Sequence, residues 1–134
     1  MPTVTQVRDE LADIITDRAG LRAAALVQDT MIPPIAIITR RPFDPRMIFS
    51  QAKAAYQFTI TIYVDRTSER SAQIQLDQYL ELTGNDSVTA AIQNSANWTL
   101  TVDYAQVTQI GEVQAVIIGE SNYLAVPLDV EVVF

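Results

Sequence analysis

The chain contains no cysteine and no histidine. That removes disulfides, thiolate nucleophiles, zinc-finger spacings, imidazole acid–base pairs and most transition-metal sites together. Only carboxylates, tyrosines, arginines and the single Lys53 are left for titratable chemistry. Glycine is also scarce: the four glycines stand apart, with no Gly-rich phosphate loop and no GxSxG elbow. No run approaches the ~18 apolar residues of a membrane span. Arg8, Asp9 and Glu10 come early, where a secretory leader would need a basic start and an apolar block. These absences predict a protein that is not an enzyme, uses no cofactor and no metal, and does not enter a membrane. The missing cysteines fit a reducing compartment.

What is present is a chain of 134 residues, 49% of them hydrophobic, which suits one domain with a sizeable core. Nine bases against sixteen acids give a net charge of -7, which argues against a free-standing nucleic-acid binder. The charge is laid out unevenly. All nine bases (Arg8, Arg18, Arg22, Arg40, Arg41, Arg46, Lys53, Arg66, Arg70) lie in residues 1–70, beside eight acids, for a net +1. Residues 71–134 carry eight acids and no base, for -8. Either the two halves interleave in space and the asymmetry averages out, or a less acidic face of one copy meets the acidic face of the next, as a head-to-tail contact requires.

Along the chain, Thr3 with Gln6 forms a capping-box pattern, and Val4, Val7, Leu11, Ile14 and Ile15 recur near helical spacing. This predicts an amphipathic helix over 4–19, stopped at Gly20. Residues 22–27 suit a short strand. Pro33-Pro34 then forces extended geometry into 35–39, a second or edge strand. Tyr56, Phe58, Ile60, Ile62 and Val64 alternate with Gln57, Thr59, Thr61 and Tyr63, the period-2 signature of a strand with one buried face. Thr67 or Ser68 is placed to cap a helix striped by Ala72, Leu76, Tyr79 and Leu80, flanked by Ile74 and Leu82 and ended by Gly84. Asn85-Asp86 is placed to cap a shorter helix through Val88, Ala91 and Ile92.

From Trp98 onward the sequence reads as β structure, with turns expected at Gly111-Glu112 and at 119–122. The last run alternates Leu124, Val126, Leu128, Val130, Val132 and Phe134 against a face that carries Asp129 and Glu131. Pro127 lacks a ladder donor, so this strand is expected at an edge, or to begin its pairing after that point. The whole predicts a single α+β domain: a largely antiparallel mixed sheet with two or three helices packed on one face.

Candidate chemistry is thin. Asp9, Asp13 and Asp17 share one helix face at i, i+4 and i+8 and read as a solvated face rather than a cation site. Asp129 and Glu131 share one side of a strand, where Arg or Thr from neighbouring strands or copies is a simpler destination than acid–base work. Asn85-Asp86-Ser87 and Asn97-Trp98-Thr99 match the glycosylation triplet, which matters only in a secretory pathway. Trp98 reads as a core or sheet-edge anchor.

The positive signal is residues 40–53. Arg40, Arg41, Arg46 and Lys53 are interleaved with Phe43, Met47, Ile48 and Phe49 beside Pro42 and Pro45. Such a mixture is hard to bury in one small domain, while arginine and aromatics are enriched in interface cores. Three readings stand: a surface loop whose aromatics tuck back, a protomer–protomer contact, and a DNA-facing loop, the last disfavoured by the net charge. The candidate interface residues are therefore Arg40, Arg41, Phe43, Arg46, Phe49 and Lys53 on one patch, and Asp129 and Glu131 on a second.

Taken in order, the amphipathic N-terminal helix, Pro33-Pro34-Ile35-Ala36-Ile37, the strand Tyr56 to Val64, the helix Ala72 to Leu80, Gly84 with Ser87 to Ile92, and a terminal strand with Tyr123 resemble a siphophage tail terminator. The resemblance covers nearly the whole chain and is one of texture and order. It implies a non-enzymatic virion protein, made in the host cytoplasm, that assembles as a ring, commonly a hexamer. The ring would sit on the head-proximal end of the tail, stop growth of the major tail tube protein and dock the head connector or stopper protein. DNA would only pass through the lumen. The alternatives are a head-side connector or stopper, or other neck completion protein, and, from another class, a small-ligand-binding or regulatory α+β domain.

Overall fold

The computed structural model describes residues 4–18, 21–24, 34–40, 55–65, 69–81, 87–94, 97–98, 104–118 and 121–133. Their elements run α1 (Val4–Arg18), β1 (Arg22–Ala24), β2 (Ile35–Arg40), β3 (Ala55–Asp65), α2 (Glu69–Leu80), α3 (Val88–Gln93), β4 (Tyr104–Ile110), β5 (Gln114–Ile118) and β6 (Ser121–Val133). The six strands form one sheet in the order β1-β2-β3-β6-β4, with β5 also on β6. Only β1–β2 is parallel; β2–β3, β3–β6, β4–β6 and β5–β6 are antiparallel. The fold is α+β, with a largely antiparallel mixed sheet as the sequence predicts.

All three helices pack on one face. From α1 the stripe Val7, Leu11, Ile14 and Ile15 is buried, as are Ala72, Leu76 and Tyr79 of α2 and Val88, Ala91 and Ile92 of α3. They meet Ala36 and Ile38 of β2, Phe58, Ile60, Ile62 and Val64 of β3, and Leu124, Val126, Leu128, Val130 and Val132 of β6. The even-numbered residues of β3 and β6 thus make the core, because side chains alternate faces along a strand. Asp9, Asp13 and Asp17 lie on the exposed side of α1. Ile74, expected at the flank of the α2 stripe, is 51% exposed and faces away from the core.

The six-residue α3 is too short to be stable by propensity and is held by its ends. The cap is Ser87, not Asn85-Asp86, which lies outside the described residues. Ser87 is extended at φ -75° and ψ 117°, and its Oγ accepts from the Ala90 N–H at 3.0 Å while donating to the Glu81 carbonyl. At the other end the C-cap closes the last helical bond and side chains meet the next two carbonyls. The Asn94 N–H donates to Ala90, the Asn97 Nδ2 to Ala91 and the Trp98 Nε1 to Ile92, at 3.2, 3.0 and 2.9 Å. Trp98 is buried and anchors the core, as its composition suggested. Ser87→Ala is expected to lower stability by about 1–2 kcal/mol, because the Ala90 donor and the Glu81 acceptor, both bonded to the buried Ser87 hydroxyl, lose their partner together. A urea titration checks this through a lower midpoint at an unchanged m-value.

Two sequence expectations about the C-terminal strands are corrected. First, β6 is central: β3 pairs with it from Tyr123 to Val133, and β4 and β5 share its other side. Pro127 is tolerated there because the N–H and C=O of a strand residue point to the same side. The Pro127 carbonyl accepts from the Gly111 N–H at 2.7 Å, so its missing donor points toward the break between β4 and β5 and takes no bond from the ladder to β3. Second, Gly111-Glu112 does not reverse the chain. β4 runs opposite 128–133 and β5 opposite 121–125, so residues 104–118 form one edge strand interrupted at 111–113. The chain reverses between Ile118 and Ser121, which are paired in register.

Candidate protein–protein interface

The side of the sheet opposite the helices carries its polar residues in rows set by the register. Gln57, Glu131 and Gln106 form one row, and Thr39, Thr59, Asp129 and Gln109 the next. Thr59, Asp129 and Glu131 are half-buried, while Thr39, Gln106 and Gln109 are exposed. The two carboxylates therefore project from one face of β6, as the alternation predicts.

A hydrogen-bonded line ties this face across four strands. Thr39 Oγ1 donates to the Thr59 carbonyl at 3.3 Å, and Thr59 Oγ1 to Asp129 Oδ1 at 3.2 Å. From the other side Thr108 Oγ1 donates to the Asp129 carbonyl at 3.2 Å. Thr108 is the extra residue of a β-bulge, since the register skips from Val107↔Val130 to Gln109↔Asp129. The acceptor capacity of Asp129 is thus used partly inside the fold, by a threonine of the neighbouring strand. Sequence reading singled out Asp129 and Glu131 but missed Thr39, Thr59 and Thr108. Their signal was only the polar half of a period-2 pattern, which does not say which strand lies alongside.

Further along the same face the side chains turn apolar. Tyr63 and Tyr123 meet edge to face, with ring centroids 6.4 Å apart and planes at 82°. Ile35, Ile37, Tyr123 and Ala125 are buried on this side.

Arg40 ends β2, in register with Phe58 of β3, which is itself in register with Val130 of β6. At the backbone, Arg40 and the Asp129–Glu131 pair therefore sit in the same part of the sheet, two strands apart, about 10 Å at ordinary strand spacing. Arg41, Phe43, Arg46, Phe49 and Lys53 lie outside the described residues. No helix among the described residues is long and apolar enough to cross a membrane. Among them, too, no three carboxylates are grouped to hold a metal ion.

The topology also sets where the uneven charge lies in the sheet. Strands β1, β2 and β3, from residues 22–65, fill one flank of the sheet, and β6, β4 and β5, from residues 104–133, fill the other. Within the sheet the sequence halves lie side by side, while in the helix layer they mix, α1 packing on α3 and α2 on β3. The first flank carries Arg22 and Arg40 with Asp65; the second carries Asp129 and Glu131, with Glu112 between β4 and β5, and no base. No protein-family model matches the chain, and no curated protein matches it.

Proposed function

We propose that this chain is a structural virion protein of a long-tailed phage. It forms a ring on the head-proximal end of the tail tube, ends tube polymerisation and offers the surface on which the head connector docks. Its partners on this reading are other copies of itself, commonly six, the major tail tube protein and the head connector or stopper, with DNA only passing through the lumen. It makes and breaks no covalent bond and uses no cofactor.

The observation that carries this reading is the segregation of the sheet into two unlike flanks. A ring closes through a heterologous contact, in which one patch of each copy meets a different patch of the next. A chain of net charge -7 resists self-association unless base-bearing and acid-only surfaces are brought together. The helix-backed sheet supplies the rigid body, with Arg40 at the end of β2 on one flank and Asp129 and Glu131 of β6 on the other; Arg41, Phe43, Arg46, Phe49 and Lys53, which complete the first patch on this reading, lie outside the described residues. The resemblance in element order supports the same reading.

The test is a charge reversal. The double variant Arg40→Glu, Arg41→Glu is expected to lose capping of purified tail tubes in electron micrographs while its circular dichroism stays that of the wild type. A double variant that still joins tails to heads removes this segment from the mechanism. Specific binding to portal rings and not to tail tubes would assign the chain to the head side. Absence of the chain from the necks of purified virions overturns the reading altogether.

A further inference from the structure

The edge formed by β4 and β5 is the least guarded backbone in the described structure. Sheet edges are ordinarily protected by lysine, proline, shortness or a covering element. Residues 104–118 contain no proline, no lysine and one charge, Glu112. The direction of each backbone group follows from the Gly111–Pro127 bond. Odd-numbered residues of β6 point toward β4 and β5, so Gln114 and Val116, opposite Ala125 and Tyr123, face inward. Ala115 and Ile117 face outward, and among the described residues nothing pairs with their N–H groups.

Among the described residues this edge is covered at one end only. Val107, opposite Val130, also points outward, and its N–H is met by the Oε1 of Gln93 on α3 at 3.3 Å. Beside that contact, α3 and β4 enclose an open groove of about 320 Å³ that reaches Ile110. Beyond it the guard stops. Ile110, Val113 and Ile117 are 38%, 45% and 73% exposed, an apolar border along the same edge.

We infer that the β5 edge, with Ile110, Val113 and Ile117 beside it, is where a second copy of this chain adds a strand from its base-bearing flank. Charge complementarity selects the occupant. The edge carries Glu112, and β6, along which it runs, carries Asp129 and Glu131, with no base on any of the three strands, while all nine bases of the same chain lie in residues 8–70. The opposite edge of the sheet, β1, begins with Arg22. Joining unlike edges continues the sheet from copy to copy, giving the head-to-tail geometry of a ring; this rests on the function proposed above. Main-chain hydrogen bonds would supply the register of the contact and the three apolar residues its dry border.

Ala115→Pro is the decisive variant, because it removes an outward N–H and leaves the ladder to β6 whole. Ile117→Lys is the second, placing a charge on the apolar border. Each is expected to raise the dissociation constant between copies at least about 30-fold, read by sedimentation and light scattering over a concentration series. Ile74→Lys, at an exposed apolar residue on α2 away from this edge, is expected to change nothing. Wild-type protein that stays monomeric to about 1 mM overturns the inference, that being the weak end of specific affinity. So does an oligomer indifferent to both edge variants, or a dimer that never grows, since two-fold pairing of like edges would give that. The two readings fail separately. Rings that dissolve with Ala115→Pro but never bind tail tubes sink the proposed function alone, and tube capping untouched by Ala115→Pro sinks the edge contact alone.

Discussion

Phe58→Ala is expected to cost about 3–5 kcal/mol of folding stability, the largest effect of any single truncation in this core. Phe58 is fully buried on the helix side of β3, in register with Arg40 of β2 on one side and Val130 of β6 on the other. Removing its ring takes away the transfer free energy of a large apolar surface and leaves a void. The walls of that void are strand residues fixed by ladders on both sides, so they cannot collapse far into it. Against a typical total of about 5–15 kcal/mol, such a loss consumes about a fifth or more of what holds the chain folded. For a domain of this size the melting temperature should fall by about 10–20 °C. Phe58→Leu, which keeps most of the volume, should lose less than about 2 kcal/mol. Urea titrations of the three proteins check both values, and a loss under 1 kcal/mol for the alanine variant would contradict the closed packing between sheet and helices.

The legibility of this fold tracks how local each signal is. Alternation along β3 and β6 gave the buried face of both strands correctly, because the period of a strand is a property of one segment. The same holds for the stripe of α1 and for the face that bears Asp129 and Glu131. What could not be read is who lies beside whom. Pro127 argued for an edge because a missing donor is a local fact, whereas the gap that makes it harmless is created by β4 ending and β5 beginning on another part of the chain. Likewise Gly111-Glu112 has the composition of a turn, yet the chain continues in the same direction past it. The cap of α3 was misplaced by a residue or two, since Asn85, Asp86 and Ser87 are all good N-caps and tertiary contact with the Glu81 carbonyl distinguishes Ser87.

For the candidate interface the same division applies. The basic, aromatic segment 40–53 and the acid-only second half stand out in the sequence as composition. That the two halves become opposite flanks of one sheet depends on strand order, and the unguarded β5 edge depends on the position of Gln93 beside Val107. Neither has a one-dimensional signature.

The junction between β4 and β5 yields the second large effect. A Cβ added at Gly111 would stand 2.6 Å from Cγ and 3.2 Å from Cδ of Pro127, and 3.3 Å from the Pro127 carbonyl oxygen. A flexible side chain could swing away from such a contact, but a proline ring is closed onto its own backbone, and here that backbone is paired with β3 along the whole of 123–133. The strain therefore falls on the thinner partner, the three-residue link at 111–113, and lengthens the 2.7 Å bond from Gly111 to Pro127. Gly111→Ala is expected to destabilise by about 1–3 kcal/mol of overpacking, offset by about 0.4–1 kcal/mol from the reduced entropy of the unfolded chain. A mere loss of glycine freedom would have the opposite sign. The contact can be isolated by a double-mutant cycle with Pro127→Ala, which removes Cγ and Cδ. In that background Gly111→Ala should become neutral or stabilising, with a coupling of about 1–3 kcal/mol between the two sites. A penalty that persists undiminished would place its origin elsewhere than in this contact. Because the link sets where β5 lies on β6, the single variant should also loosen any contact made through the β5 edge, and Pro127→Ala should restore it in step with stability.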